Sequence, residues 1–196
     1  MRLSGSIAAL RRFAAEAPAA VERCDGCAAI LGASHPHWLD AKSRRMRCVC
    51  GSCGDANGPW KLVRRRVVAL TELDGDTDAW DRLGSPVGLA FVALSGENRE
   101  PFAYFPGPAG ATAAAIDSLD WATLCARVPA VGGMHADIEA LLVNRLDGAR
   151  DHYIVSIDIC YHLVGRLRQK GRGWAGAIGR EVEGFMTSLR REAAHA

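Results

Sequence analysis

Lysine is scarce in this chain, at positions 42, 61 and 170 only, so nearly all of its 24 basic residues are arginine. Set against 22 acidic residues they leave a formal charge of +2, and the pI is near 8.2. A balance this close to neutrality makes no electrostatic case for a polyanion partner. Aromatic residues make up only 7% of the chain and do not interleave the arginine runs, so the stacking platform of a single-strand nucleic-acid binder is missing. Long apolar runs are missing too. None approaches the roughly 18 to 20 residues that span a bilayer. The Ala-rich start, MRLSGSIAALRRFAAEAPAA, is broken at Arg11 and Arg12 before it reaches the length of a secretory apolar segment. There is no Walker loop, dinucleotide fingerprint or H-E-x-x-H motif, which removes the usual sequence basis for nucleotide or zinc-protease chemistry.

Cysteine is what the chain has in concentration. Seven are present, and five fall between positions 24 and 53, in RCDGCAAILGASHPHWLDAKSRRMRCVCGSC. An odd number, clustered at ligand spacing, does not read as a disulfide framework and fits a reducing compartment, so a cytoplasmic protein is expected. Cys24 and Cys27 form one C-x-x-C pair and Cys50 and Cys53 another. Each such turn sets two thiolates on one side of a tight loop, and two facing loops supply the four soft ligands of a tetrahedral ion. Gly26, Gly51 and Gly54 lie in or beside these turns, where a missing side chain lets backbone amides approach sulfur.

The expected metal ligands are therefore Cys24, Cys27, Cys50 and Cys53. Cys48 is an alternate, because an extended RCVC segment would point Cys48 and Cys50 the same way. His37, or His35, is another, in a three-cysteine, one-histidine set. Zn2+ is the expected ion, and iron, either mononuclear or in an iron-sulfur cluster, is the alternative for the same thiolates. A four-thiolate site has no open position, so its expected work is structural.

The fold class expected is α+β. An amphipathic N-terminal helix (1–20) leads into a zinc-ribbon or rubredoxin-like metal module (21–60), followed by a mixed domain (61–196) with a small antiparallel sheet. Ile7, Leu10, Phe13 and Ala14 mark the first helix, which Pro18 ends. WKLVRRRVVALTEL predicts one strand able to pair with the module, and DGDTDAWDRLG a turn and short helix. PVGLAFVAL and PFAYFPGP predict a hairpin, PGPAGAT a loop, and SLDWATLCARVP a helix capped by Ser118 and broken at Pro129. LLVNRL and HYIVSI are read as a second hairpin, because Asp147-Gly148 supplies left-handed turn positions; a helix over 136–146 is the alternative. Asp158 is expected to cap a helix through Lys170. The last helix, REVEGFMTSLRRE, should bury Val182, Phe185, Met186 and Leu189.

Catalytic chemistry finds little support. Cys160 and His162 are two apart on a predicted helix and so do not face each other. Cys125 and Cys160 read as small buried hydrophobes. The arginines at 44, 45, 47 and 64–66 read as a solvated basic face, diluted by Asp40, Asp55, Glu72 and Asp74.

The strings CDGC, HPHWLD, RCVCGSC, PVGLAF, YFPGPAGAT, DIEALLVNR and IDICYHLVGRLR together resemble an uncharacterised bacterial family encoded beside high-affinity uptake nickel-iron hydrogenases. The likeness runs from the N-terminal helix to about residue 190. It implies an accessory protein acting in hydrogenase maturation or assembly, with a hydrogenase subunit or maturation factor as partner. The family motif carried over is the cysteine cluster, Cys24, Cys27, Cys48, Cys50 and Cys53, with His37 as a candidate.

Overall fold

The structure is a computed structural model that describes residues 21–32, 35–54, 59–73, 88–170 and 175–194. The helix expected over 5–16 and the one expected within 74–84 lie outside the described residues.

Two antiparallel sheets organise the chain. Strands β1 (His37–Asp40), β2 (Arg45–Cys48) and β3 (Trp60–Val63) form the smaller, in the order β2-β1-β3. The larger has six strands in the order β4-β9-β8-β5-β6-β7. These are β4 (Val67–Ala69), β5 (Leu89–Ser95), β6 (Glu100–Gly107), β7 (Gly110–Ala115), β8 (Glu139–Asn144) and β9 (Asp151–Ser156). Helices α1 (Ser118–Arg127), α2 (Pro129–Gly132), α3 (Ile157–Lys170) and α4 (Ala175–Ala193) complete the described elements.

Central strands of the large sheet carry apolar residues on both faces, which is why LAFVAL and ALLV read as continuous runs and not as alternation. Leu89, Phe91, Ala93, Leu142, Tyr153 and Val155 meet α3 and α4 through Leu163, Leu167, Val182, Phe185 and Met186. On the opposite face Ala90, Val92, Leu94, Leu141, Val143 and Ile154 meet α1 and α2 through Trp121, Leu124 and Val131. The result is a sheet between two helical layers. Each fully buried Leu or Phe in it contributes about 1.5 to 3 kcal/mol.

Both predicted hairpins are present. β5 pairs with β6, and β8 with β9 in the register Leu142↔Tyr153. The turn between β8 and β9 places Asp147 at φ 52° and Gly148 at φ 81°, the left-handed conformations that an Asp-Gly pair tolerates.

Several expectations are corrected. WKLVRRRVVALTEL is two strands and not one. β3 pairs with β1, the chain breaks at Arg64–Arg66, and β4 pairs with β9, so one segment joins the two sheets. The loop predicted over PGPAGAT runs into β7, an edge strand paired with β6 from Phe102↔Ala115 to Gly107↔Gly110. Its sequence, GATAAA, has too little β preference to show itself, and pairing supplies what propensity does not. Asp117, not Ser118, caps α1, its Oδ1 accepting the amides of Leu119 and Asp120. Pro129 opens α2 as its first residue, where a missing N–H costs nothing. Asp158 lies inside the first turn of α3, and its carboxylate reaches the small sheet.

Candidate metal centre

The first C-x-x-C turn is closed by short backbone bonds. The Cys24 amide donates to Ala29 O at 2.8 Å, the Ala28 amide to Cys24 O at 2.8 Å, and Ala28 takes a left-handed φ of 60°. In the second turn the amides of Cys53 and Gly54 both donate to Cys50 O, at 3.1 and 3.2 Å. The two turns are fastened to each other. Asp25 donates its amide to Cys48 O at 2.8 Å and accepts the Cys48 amide on Oδ2 at 2.8 Å. The Cys50 amide donates to Cys24 Sγ at 3.2 Å, and the Gly26 amide reaches the same sulfur at 3.4 Å.

This brings the sulfurs of Cys24, Cys27, Cys50 and Cys53 within 4.8 Å of one another, an arrangement that could hold a metal ion. All four are free thiols. The Cys27 and Cys50 sulfurs stand 3.7 Å apart. Tetrahedral thiolates at about 2.3 Å from a zinc ion would be separated by about 3.8 Å. Donor type, donor number and spacing therefore all fit one tetrahedral ion. Cys24 is buried and Cys27 exposed, with Trp38 and Val49 forming a small apolar support.

The electrostatics of the cluster follow from its crowding. Backbone N–H groups, that of Cys50 foremost, lower the Cys24 thiol to about 6. Interactions with the sulfurs of Cys50, Cys27 and Cys24 push Cys53 up to about 12. Without a cation, the last thiolate forms against its neighbours; a central ion removes that opposition.

Cys48 and His37 do not join this group. They converge with His35 in a second one, whose three ligand atoms also lie within 4.8 Å of one another. The local reason is register. His37 stands directly opposite Cys48 in the β1–β2 pair, and cross-strand partners share a face. β2 ends at Cys48, the Val49 amide donates to Pro36 O at 3.2 Å as one further rung of the same pairing, and Cys50 opens the second C-x-x-C turn. Cys48 and Cys50 accordingly fall in different groups of ligand atoms.

Other candidates are accounted for by packing. Cys160 is fully buried in the large core and its thiol is pushed well above the ordinary range by burial. His162 turns its ring edge-on to Phe185 at 6.0 Å, and burial, with Arg166 and Arg65 nearby, lowers its pKa. Cys125 packs against the second core face. Four of the six arginines at 44, 45, 47 and 64–66 are engaged within the molecule: Arg44 with Ser95, Arg47 over the Trp60 ring at 4.1 Å, Arg65 with Glu192 and Arg66 with Glu139.

Sequence reasoning did not find the pairing of His35 and His37 with Cys48, nor Asp158 as their neighbour. The H-x-H spacing was visible, since alternate residues of an extended chain share a face. The partner strand and Asp158, 121 residues away from His37, were not.

The sequence profile of one family spans this whole arrangement, from residue 23 to residue 193. The chain belongs to DUF5947, a family of unknown function. Both C-x-x-C pairs, the second group and both sheets fall within the matched DUF5947 region. No curated protein and no solved structure matches the chain.

Proposed function

We propose that Cys24, Cys27, Cys50 and Cys53 bind a single zinc ion in a closed, structural site. In this reading the protein is a cytoplasmic metal-binding accessory protein that assists maturation or assembly of an uptake nickel-iron hydrogenase. The observation that carries the metal assignment is the set of four free sulfurs within 4.8 Å, pinned by hydrogen bonds between the two turns. Four thiolates fill a tetrahedral ion, which leaves no position for substrate. A polynuclear iron-sulfur cluster would place further iron and sulfide atoms between the thiolates and needs a wider set. The module then reads as a zinc-ribbon or rubredoxin-like knuckle pair whose ion replaces the core that residues 21–60 are too few to build. The hydrogenase role is supported by the resemblance of the motifs from CDGC to IDICYHLVGRLR, and its partner would be a hydrogenase subunit or maturation factor.

Elemental analysis and an absorption spectrum of protein purified without air, after dialysis against a weak chelator, test the metal assignment. One zinc per chain and no visible absorbance are expected. One iron with thiolate charge-transfer bands and a reversible one-electron couple would replace the structural role with electron transfer. In Cys24→Ser the ion should be lost and the module should unfold, since structural zinc supplies on the order of 10 kcal/mol to such folds. For the partner, tagged protein from a hydrogenase-producing cell should retain a hydrogenase subunit or maturation factor. Retention of neither under reducing, low-salt conditions would sink that assignment.

A further inference from the structure

The imidazoles of His35 and His37 meet nitrogen to nitrogen, Nε2 to Nε2, at 3.1 Å. Each ring is held from its other side by a group that only accepts. His37 Nδ1 lies 2.9 Å from Asp158 Oδ2, and His35 Nδ1 lies 2.9 Å from the Gly32 carbonyl oxygen. Those partners require a hydrogen on each Nδ1, which in a neutral ring leaves a lone pair on each Nε2. Two lone pairs 3.1 Å apart repel unless a cation sits between them. That cation is either a proton, making one ring an imidazolium, or a metal ion. Cys48 favours the metal ion. Its sulfur belongs to the same group of ligand atoms, within 4.8 Å, and adds the soft donor that a transition-metal ion takes beside two imidazole nitrogens.

We propose that His35, His37 and Cys48 bind a second, exchangeable divalent first-row transition-metal ion, with its fourth coordination position open toward Glu22. Ligands about 2.0 to 2.1 Å from a tetrahedral ion stand about 3.3 Å apart, close to the nitrogen separation seen. The supporting shell is already built. A carboxylate on the far nitrogen of a ligating histidine orients the ring and raises its basicity, and Asp158 does this for His37. Cys48 is held at backbone level by both polar groups of Asp25. Glu22 Oε2 approaches His35 Nε2 at 3.6 Å, and its side chain is 61% exposed, so the group borders solvent on the Glu22 side. Three protein ligands with an open fourth position are the arrangement of sites that act on or pass on a ligand, unlike the closed set of four cysteines. The two sites are chemically distinct although a single residue, Val49, separates Cys48 from Cys50.

The test uses the full chain with its four-cysteine site filled, titrated with Co2+ at neutral pH under reducing conditions. A chromophoric chelator reports any zinc displaced, so exchange into the first site is counted separately. One further equivalent of cobalt is expected, with tetrahedral d–d bands and charge transfer from a single thiolate. NMR of the cobalt-loaded wild type should show two hyperfine-shifted, exchangeable imidazole N–H protons, because both Nδ1 hydrogens stay in place. His37→Ala should weaken the added cobalt at least tenfold and Cys48→Ser should abolish the charge-transfer band, while both variants keep the first ion. Asp158→Asn, which removes no ligand, should weaken cobalt about tenfold to a hundredfold through His37 positioning. The proposal is overturned by either of two results: no saturable cobalt beyond the first site, or an added equivalent with the same affinity and spectrum in His37→Ala and Cys48→Ser. Neither result touches the four-cysteine assignment, which the dialysed protein's own metal content decides.

Discussion

Gly26 shows how closely a single position governs the four-cysteine group. A Cβ at residue 26 would stand 3.0 Å from Cys53 Cβ and 3.1 Å from Cys53 Sγ, whereas a Cβ at Gly51 would meet nothing within 4 Å. Gly26 is the third residue of its C-x-x-C turn and Gly51 the second of its own, and of the two only Gly26 is hemmed in by the opposite turn. Overpacking of this kind costs about 1 to 3 kcal/mol. Gly26→Ala should therefore weaken the first ion about tenfold to a hundredfold in competition with a chromophoric chelator, and Gly51→Ala should leave its affinity unchanged. Equal behaviour of the two variants would contradict the packing seen here. Which glycine mattered was not legible in CDGC and CGSC, because the spacing is local and the crowding comes from a turn 27 residues away.

Secondary-structure elements were legible where their cause was local. The Asp147-Gly148 turn, the apolar runs of β5 and β8, and the inward face of α4 all follow from residue chemistry within a few positions. β7 and the cap of α1 did not. For the cap, Asp117 and Ser118 are both good candidates by type, and only the chain's entry angle selects Asp117. Asp117→Ala should lower stability by about 1 kcal/mol in urea unfolding, and Ser118→Ala should change it by less than about 0.5 kcal/mol. The reverse order would return the cap to Ser118.

At the scale of the whole molecule, buried carboxylates tie elements together and set its response to acid. Burial raises the pKa of Asp151, but two hydrogen bonds from Arg190 and one from Asn144 outweigh it and hold this carboxyl below its ordinary range. Glu139 is lowered in the same way: burial opposes, and Arg66 and His135 prevail. A carboxyl whose folded pKa lies below its unfolded value stabilises the fold fully above the unfolded value, near 4. That stabilisation is lost as pH falls through the folded value. Asp151→Asn should accordingly be about 1 to 2 kcal/mol less stable than wild type at pH 7, a figure reduced by the partial exposure of Arg190. The gap should stay constant down to about pH 5 and close below about pH 4. Urea midpoints across pH for both proteins check this, and a gap that widens in acid would reverse the assigned sign. Comparing the two proteins removes the common effect of acid on the thiolate site.

What the amino-acid sequence by itself determined was the chemistry of short range. Two C-x-x-C turns close on themselves, so the gathering of their four sulfurs into a group that could hold a metal ion was legible from spacing alone. Tertiary structure decided everything that depends on which strand lies beside which. The β1–β2 register set Cys48 opposite His37 and away from Cys50, α3 brought Asp158 to the far side of that histidine, and the split at Arg64–Arg66 tied the small sheet to the large one. Residues far apart in the chain meet only when many weak contacts over both faces of the large sheet fix the register together. No local pattern carries that information.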